Sequence, residues 1–254
     1  MKNKIVTLML VGMLAVSTAA CGGPKDDSSS GKQKESATEE TGNETTPVEE
    51  KTDEPTQQES KDTPEPAADV IEPYETDLTP GSYTAGLHIP EGVYNVQVTS
   101  GLGTMMTSTG TVSAMGTGTA VEYATTFDNL TLKAGDTLEL TQSLSVKITT
   151  QEANLSKMTG YDNPATEEKE LSPGNYVVGQ DIPAGLYDLS IVSGTANVTL
   201  DDYSFTAMLT DNAALAESTG TSYKNLELAE GRTVQVASGT VKLTPTADIA
   251  APTP

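Results

Sequence analysis

Leu78–Gly101 (LTPGSYTAGLHIPEGVYNVQVTSG) returns 93 residues later as Leu171–Gly194 (LSPGNYVVGQDIPAGLYDLSIVSG), with 11 of 24 positions identical. Asn129–Leu140 (NLTLKAGDTLEL) returns as Asn225–Val236 (NLELAEGRTVQV), and Val146-Lys147-Ile148-Thr149 returns as Val241-Lys242-Leu243-Thr244. The spacing widens from 93 to 96 between the first two blocks, so the second copy carries three extra residues in its middle. Blocks recurring in the same order mark a duplicated folding unit.

Within each copy the apolar residues alternate. Tyr94, Val96 and Val98 face one way with Asn95 and Gln97 opposite; Tyr187, Leu189 and Ile191 repeat this with Asp188 and Ser190 opposite. Leu130/Leu132, Leu138/Leu140 and Leu144/Val146/Ile148 continue the period of two, which belongs to half-buried strands. Pro80-Gly81 and Pro173-Gly174 suit the centre of a type II turn. Pro90-Glu91-Gly92 and Pro183-Ala184-Gly185 suit a turn with Pro second and Gly fourth, and Gly135-Asp136 and Gly231-Arg232 mark turns between later strands. Six or seven short strands per copy are expected, with only Asp211–Glu217 locally helical. The expected fold is all-β: two tandem small antiparallel β-sandwiches, jelly-roll-like, in residues 78–150 and 171–245. Residues 151–170 read as a polar linker between the repeats and 246–254 as a disordered tail. Units this small bury a limited share of their surface, so they either lean on each other or fuse into one pseudo-symmetric sandwich.

The rest of the chain supplies an address. Lys2 and Lys4 precede an apolar run, Ile5 to Val16, and then the small residues Ser17, Thr18, Ala19 and Ala20 before Cys21. This is the build of a secretory signal, 1–20, too short to span a bilayer comfortably. The segment resembles a lipoprotein signal, departing at Thr18, where that pattern usually has Leu. The resemblance implies cleavage before Cys21 and acylation of its thiol with palmitate-type chains, and two chains give stable anchoring. Residues 21–77 hold the lipidated cysteine and an acidic tether. Between Pro24 and Asp77 there are 17 acidic and 5 basic residues and almost no apolar periodicity. Such a segment cannot bury enough apolar surface to offset its ordering entropy and reads as a disordered linker with an r.m.s. span of about 40 Å.

The pattern G-x-Y-x-x-G-x-x-I-P-x-G-x-Y followed by N-L-x-L-x-x-G resembles a β-repeat of secreted proteins and lipoproteins of Gram-positive bacteria. It covers most of residues 78–245 in two copies. The repeat carries no activity that transfers to a residue.

Composition narrows the chemistry. A net charge of −22 and 4% aromatic residues without Trp disfavour nucleic acid, whose phosphates require Lys and Arg, and a sugar-stacking platform. The single Cys excludes an internal disulfide and a multi-cysteine metal site. His88, the one histidine, reads as a solvated loop residue with no G-x-S-x-G elbow to serve. Asp201-Asp202 with Asp211 fit no EF-hand spacing and read as a solvated turn; Glu167-Glu168-Lys169-Glu170 reads as charged linker. Thr99–Ala120 is Gly/Thr-rich but lacks the lysine of a phosphate-binding loop, and Met105, Met106 and Met115 read as gap-fillers between strands. Tyr83/Tyr176, Tyr94/Tyr187 and Phe127/Tyr223 match between copies and read as framework. Tyr123, Tyr161, Tyr203 and Phe205 are unmatched and are the better aromatic candidates for a ligand.

These observations lead to a membrane-anchored lipoprotein on the extracytoplasmic face of the cell membrane, with a non-catalytic binding or structural role at the envelope. Its partners are the membrane, through the lipid, and an envelope protein or glycan, with no cofactor, metal site or catalytic residue expected. A carboxylate-dependent wall or glycan hydrolase and a substrate-capture lipoprotein of a transporter are the alternatives. Cys21→Ala is expected to abolish acyl labelling and to release or strand the protein while residues 78–254 stay folded. A variant that remains processed and membrane-bound would contradict the anchor.

Overall fold

The computed structural model describes residues 69–117 and 122–250. Residues 1–20, read as a signal peptide, Cys21, and the stretch read as a tether up to residue 68 lie outside the described residues.

Sixteen short strands form among the described residues. The first copy contributes β1 (Ile71–Leu78), β2 (Gly81–Thr84), β3 (Gly92–Ser100), β4 (Leu102–Thr107), β5 (Val112–Gly116), β6 (Thr126–Leu132), β7 (Thr137–Leu140) and β8 (Ser145–Asn154). The second contributes β9 (Lys169–Leu171), β10 (Gly174–Val177), β11 (Gly185–Ser193), β12 (Thr195–Leu200), β13 (Thr206–Thr210), helix α1 (Ala213–Thr219), β14 (Ser222–Leu228), β15 (Thr233–Val236) and β16 (Thr240–Pro245). In the first copy one sheet runs β1-β8-β3-β6 and the facing one β5-β4-β7-β2; in the second copy β9-β16-β11-β14 faces β10-β15-β12-β13. The two orders are the same when strands are numbered within each copy. Each copy is therefore an eight-stranded, two-sheet jelly roll, the double Greek key of antiparallel β proteins. The fold is all-β, as the alternation predicts.

The alternating residues fill two separate cores. Tyr94, Val96, Leu138, Leu140, Val146 and Ile148 lie in the first, with Met105 and Met115 fully buried among them. Tyr187, Leu189, Leu228, Val234, Val241 and Leu243 lie in the second. Each such large apolar side chain contributes roughly 1.5–3 kcal/mol by leaving water.

The residues shared by the copies have identifiable structural work. Tyr83 and Tyr176 each donate a hydroxyl hydrogen bond, at 2.8 Å, to the carbonyl four residues upstream, Thr79 and Ser172. Tyr94 and Tyr187 do the same to Pro90 (2.7 Å) and Pro183 (2.9 Å). These resemble the tyrosine corners of β-sandwiches. Asn129 and Asn225 take left-handed φ of 59° and 55° at matching bulges in β6 and β14. Each backbone N–H there is received by a side-chain oxygen of β3 or β11, Asn95 (3.4 Å) or Asp188 (3.2 Å). Asn tolerates this conformation better than other residues with a Cβ.

Several boundaries differ from the sequence reading. Residues 71–77, assigned to the tether, form most of β1 and pair with β8. The acidic composition concealed them because only Leu78 of that strand is buried; the other residues are exposed or half-exposed at a sheet edge. The linker 151–170 is largely structured: β8 runs to Asn154, a short 3-10 turn follows at Leu155–Lys157, and β9 begins at Lys169. Asn163 fastens the middle of it. Its side-chain amide donates to the carbonyls of Leu186 and Thr246, both at 2.8 Å, and its oxygen accepts from Leu186 N (3.1 Å). The start of the tail is also held, because Tyr161 and Ile249 exchange backbone hydrogen bonds of 2.8 and 2.9 Å. Pro80-Gly81 and Pro173-Gly174 are not type II turns, since neither glycine has positive φ.

Gly81 serves the packing of the copies instead. A Cβ at Gly81 would lie 2.7 Å from both Cβ and O of Lys224. There β2 and β14 meet in a parallel bridge, Gly81 opposite Lys224, with Lys224 N donating to Pro80 O at 2.8 Å. This bridge joins one sheet of each copy into an eight-stranded sheet, β5-β4-β7-β2-β14-β11-β16-β9. The jelly rolls lean on each other while keeping separate cores.

The bulge gives a sharp stability test. Asn225→Ala should lower unfolding stability by about 1 kcal/mol because it forces an ordinary side chain into left-handed φ. Asn225→Gly should be neutral or stabilising at the same position. Equal urea midpoints for the two variants would contradict this account.

Candidate functional site

The joined sheet leaves a cleft of about 420 Å³ beside the junction. Its walls come from both copies. Ser82 and Thr84 of β2 and Glu139 of β7 line one side; Tyr223 and Asn225 of β14, Phe205 and Arg232 line the other, with Tyr161 from the connecting segment. The volume lies within the range of small-ligand sites, roughly 300–1,000 Å³.

Polar groups cross the cleft. Tyr223 donates its hydroxyl to Glu139 Oε1 at 3.0 Å, linking the second copy to the first. Burial, reinforced by the Glu139 carboxylate, pushes the phenol pKa up, so the hydroxyl keeps its proton. Phe205 packs edge-on against Tyr223 with ring centroids 4.7 Å apart. Glu227 adds a second, exposed carboxylate. Arg232 is occupied: its Nε donates to Asp201 at 2.8 Å and its Nη2 pairs with Asp202. Hydrogen bonding to Arg232 holds both aspartates below the usual carboxylate range.

His88 also lines the cleft and is half-buried rather than solvated. Its Nδ1 accepts from Thr84 N at 2.9 Å, so in the neutral ring Nε2 carries the proton. That Nε2–H is buried without a protein partner. This tautomer is the reverse of a triad histidine, whose Nδ1–H faces a carboxylate. The second copy shows what the residue does for the fold. Asp181, at the matching position, accepts from Val177 N at 2.8 Å and caps the same turn.

The other candidates separate from the cleft. Asp201 and Asp202 lie together on Arg232, and Asp211 accepts from Gly194 N at 2.9 Å. Among the described residues no group of three or more His, Cys, Asp or Glu side chains could hold a metal ion. Glu168 pairs with Lys242 and Glu167 with Lys169, along the edge strand β9. Of the unmatched aromatics, Tyr161 and Phe205 reach the cleft, whereas Tyr203 stands 81% exposed away from it and Tyr123 does not line it. Tyr223, read as framework, has both roles: it belongs to the second core and lines the cleft. Among the described residues, no helix is long and apolar enough to cross a membrane. No protein-family model, curated protein or solved structure matches the chain.

Burial lowers the His88 pKa below the ordinary 6.5. The unfolded chain therefore takes up the proton first as pH falls. The stability this site contributes is complete above the unfolded value and declines as pH drops through it toward the folded one. Between about pH 7.5 and about pH 5, wild type should lose more stability than His88→Asp, whose carboxylate caps the turn and stays ionised across that interval. Equal losses in urea titrations would show that His88 does not carry this pH dependence.

Proposed function

We propose that this chain is an exported lipoprotein, lipid-anchored through Cys21 on the extracytoplasmic face of the cell membrane, that binds an envelope protein or glycan without chemistry. The acidic segment before residue 69 carries the paired jelly rolls away from the bilayer. The cleft between the two copies is the binding site in this reading. The observation that supports it best is the shared construction of the cleft: neither copy alone supplies both Glu139 and Tyr223. A single jelly roll gives a β framework; the pairing adds a concave surface with aromatic and carboxylate groups. Ligand-binding clefts commonly combine an apolar wall with a few polar groups in this way.

Ser82 offers a direct way to test the cleft, because it is half-exposed on a wall whose floor is formed by other residues. The mature chain, immobilised and washed with envelope extract, should retain an envelope protein or glycan, and Ser82→Trp should weaken that retention by about tenfold or more. Failure to retain any component, or equal retention by Ser82→Trp, would overturn the cleft as the site. Release of reducing sugar from wall glycan by the wild-type chain would favour a carboxylate hydrolase instead.

A further inference from the structure

The contact joining the two copies has two halves, and each copy is built with both. One half is the bulge of β14, where Asn225 in left-handed φ presents the Lys224 N–H at the sheet edge. The other is Pro80-Gly81 at β2, where a missing Cβ lets Lys224 approach. The first copy repeats the bulge in β6, with Asp128 at the Lys224 position and Asn129 at φ 59°. The second repeats the receiving edge in β10, with Pro173-Gly174. Among the described residues, one bulge meets one receiving edge. Among the described residues no strand pairs with the outer edges of β6 and β10.

Gly174 is the informative residue. It is exposed, its φ is not positive, and the nearest atoms to a Cβ there would be the ring and hydroxyl of Tyr176, at 3.4 Å. Nothing within its own copy requires glycine. At the matching Gly81 the requirement is an incoming strand. Phe127 gives a second sign: its counterpart Tyr223 is 5% exposed at the junction, whereas Phe127 beside Asp128 is only half-buried.

We infer that the free β10 edge around Pro173-Gly174 receives the β6 bulge around Asp128-Asn129 of a second copy of this chain, repeating between molecules the contact made within one. Such a contact is heterologous, so it propagates head to tail into a filament or closes into a ring. It is weaker than the internal one. Phe127 and Gln235 replace Tyr223 and Glu139, and the hydrogen bond across the junction is lost. Confinement of anchored chains to one membrane raises their effective concentration and favours the contact. The net charge of −22 opposes it, so salt should strengthen association by screening.

The test uses the full mature chain with Cys21→Ala, in solution by sedimentation and on vesicles bearing a metal-chelating lipid through an N-terminal His tag. Weight-average mass should rise by about twofold or more with concentration and salt. Gly174→Val should keep an unchanged melting curve and stay monomeric. A photo-crosslinking side chain at Asp128 should link to the Pro173–Asn175 segment of another copy. The inference is overturned if the chain stays monomeric in solution and on vesicles, or if folded Gly174→Val assembles like wild type. Crosslinks from position 128 in cells that reach only other proteins would overturn it as well.

Discussion

A backbone approach at Gly81, too close for any Cβ, connects the two halves of this protein. Lys224 N reaches Pro80 O at 2.8 Å only because residue 81 carries no side chain. From that bridge follow the continuous eight-stranded sheet, the placement of Tyr223 against Glu139 and the cleft lined by both copies. Further contacts reinforce it: Ser143 Oγ bonds the Glu217 carbonyl, and Gly220 lies so close to the Gln142 carbonyl that a Cβ would be 2.2 Å from its oxygen. Small jelly rolls with separate cores thereby become a paired unit, each covering an edge strand of the other.

Duplication explains why the same residues have different consequences in the two copies. Gly81 and Gly174 occupy matching positions, yet one is pressed against a strand and the other is open. Tyr223 and Phe127 occupy matching positions, yet one spans a junction and the other lies half-buried. His88 and Asp181 cap the same turn with different atoms, and of the two His88 lines the cleft. The jelly-roll framework is common to both copies, whereas the surface specialises according to what packs on it.

The fold class was legible because alternation is a local property of each strand. Tyr94, Val96 and Val98 declare an inward face in the sequence itself, and the repeat doubles the signal. Strand β1 was hidden because an exposed edge strand such as IEPYETDL needs few apolar residues and composes like a tether. The linker hid its structure for a related reason. Asn163 holds it through hydrogen bonds to residues 23 and 83 positions away, and such partners leave no periodic trace. The cleft was least legible: it depends on which edge of one copy meets which edge of the other, information held in one glycine that also suits a turn. The mismatch of Tyr161 and Phe205 between copies was the one sequence signal that pointed toward it.

The amide of Lys224 reports the junction most directly, since its hydrogen bond to Pro80 exists only when the copies are joined. Hydrogen exchange under native conditions should find this amide protected to a degree comparable with the strand amides of β11 and β16. Exchange at the rate of an unstructured peptide, while both cores remain protected, would show that the jelly rolls move independently and that the shared cleft does not persist.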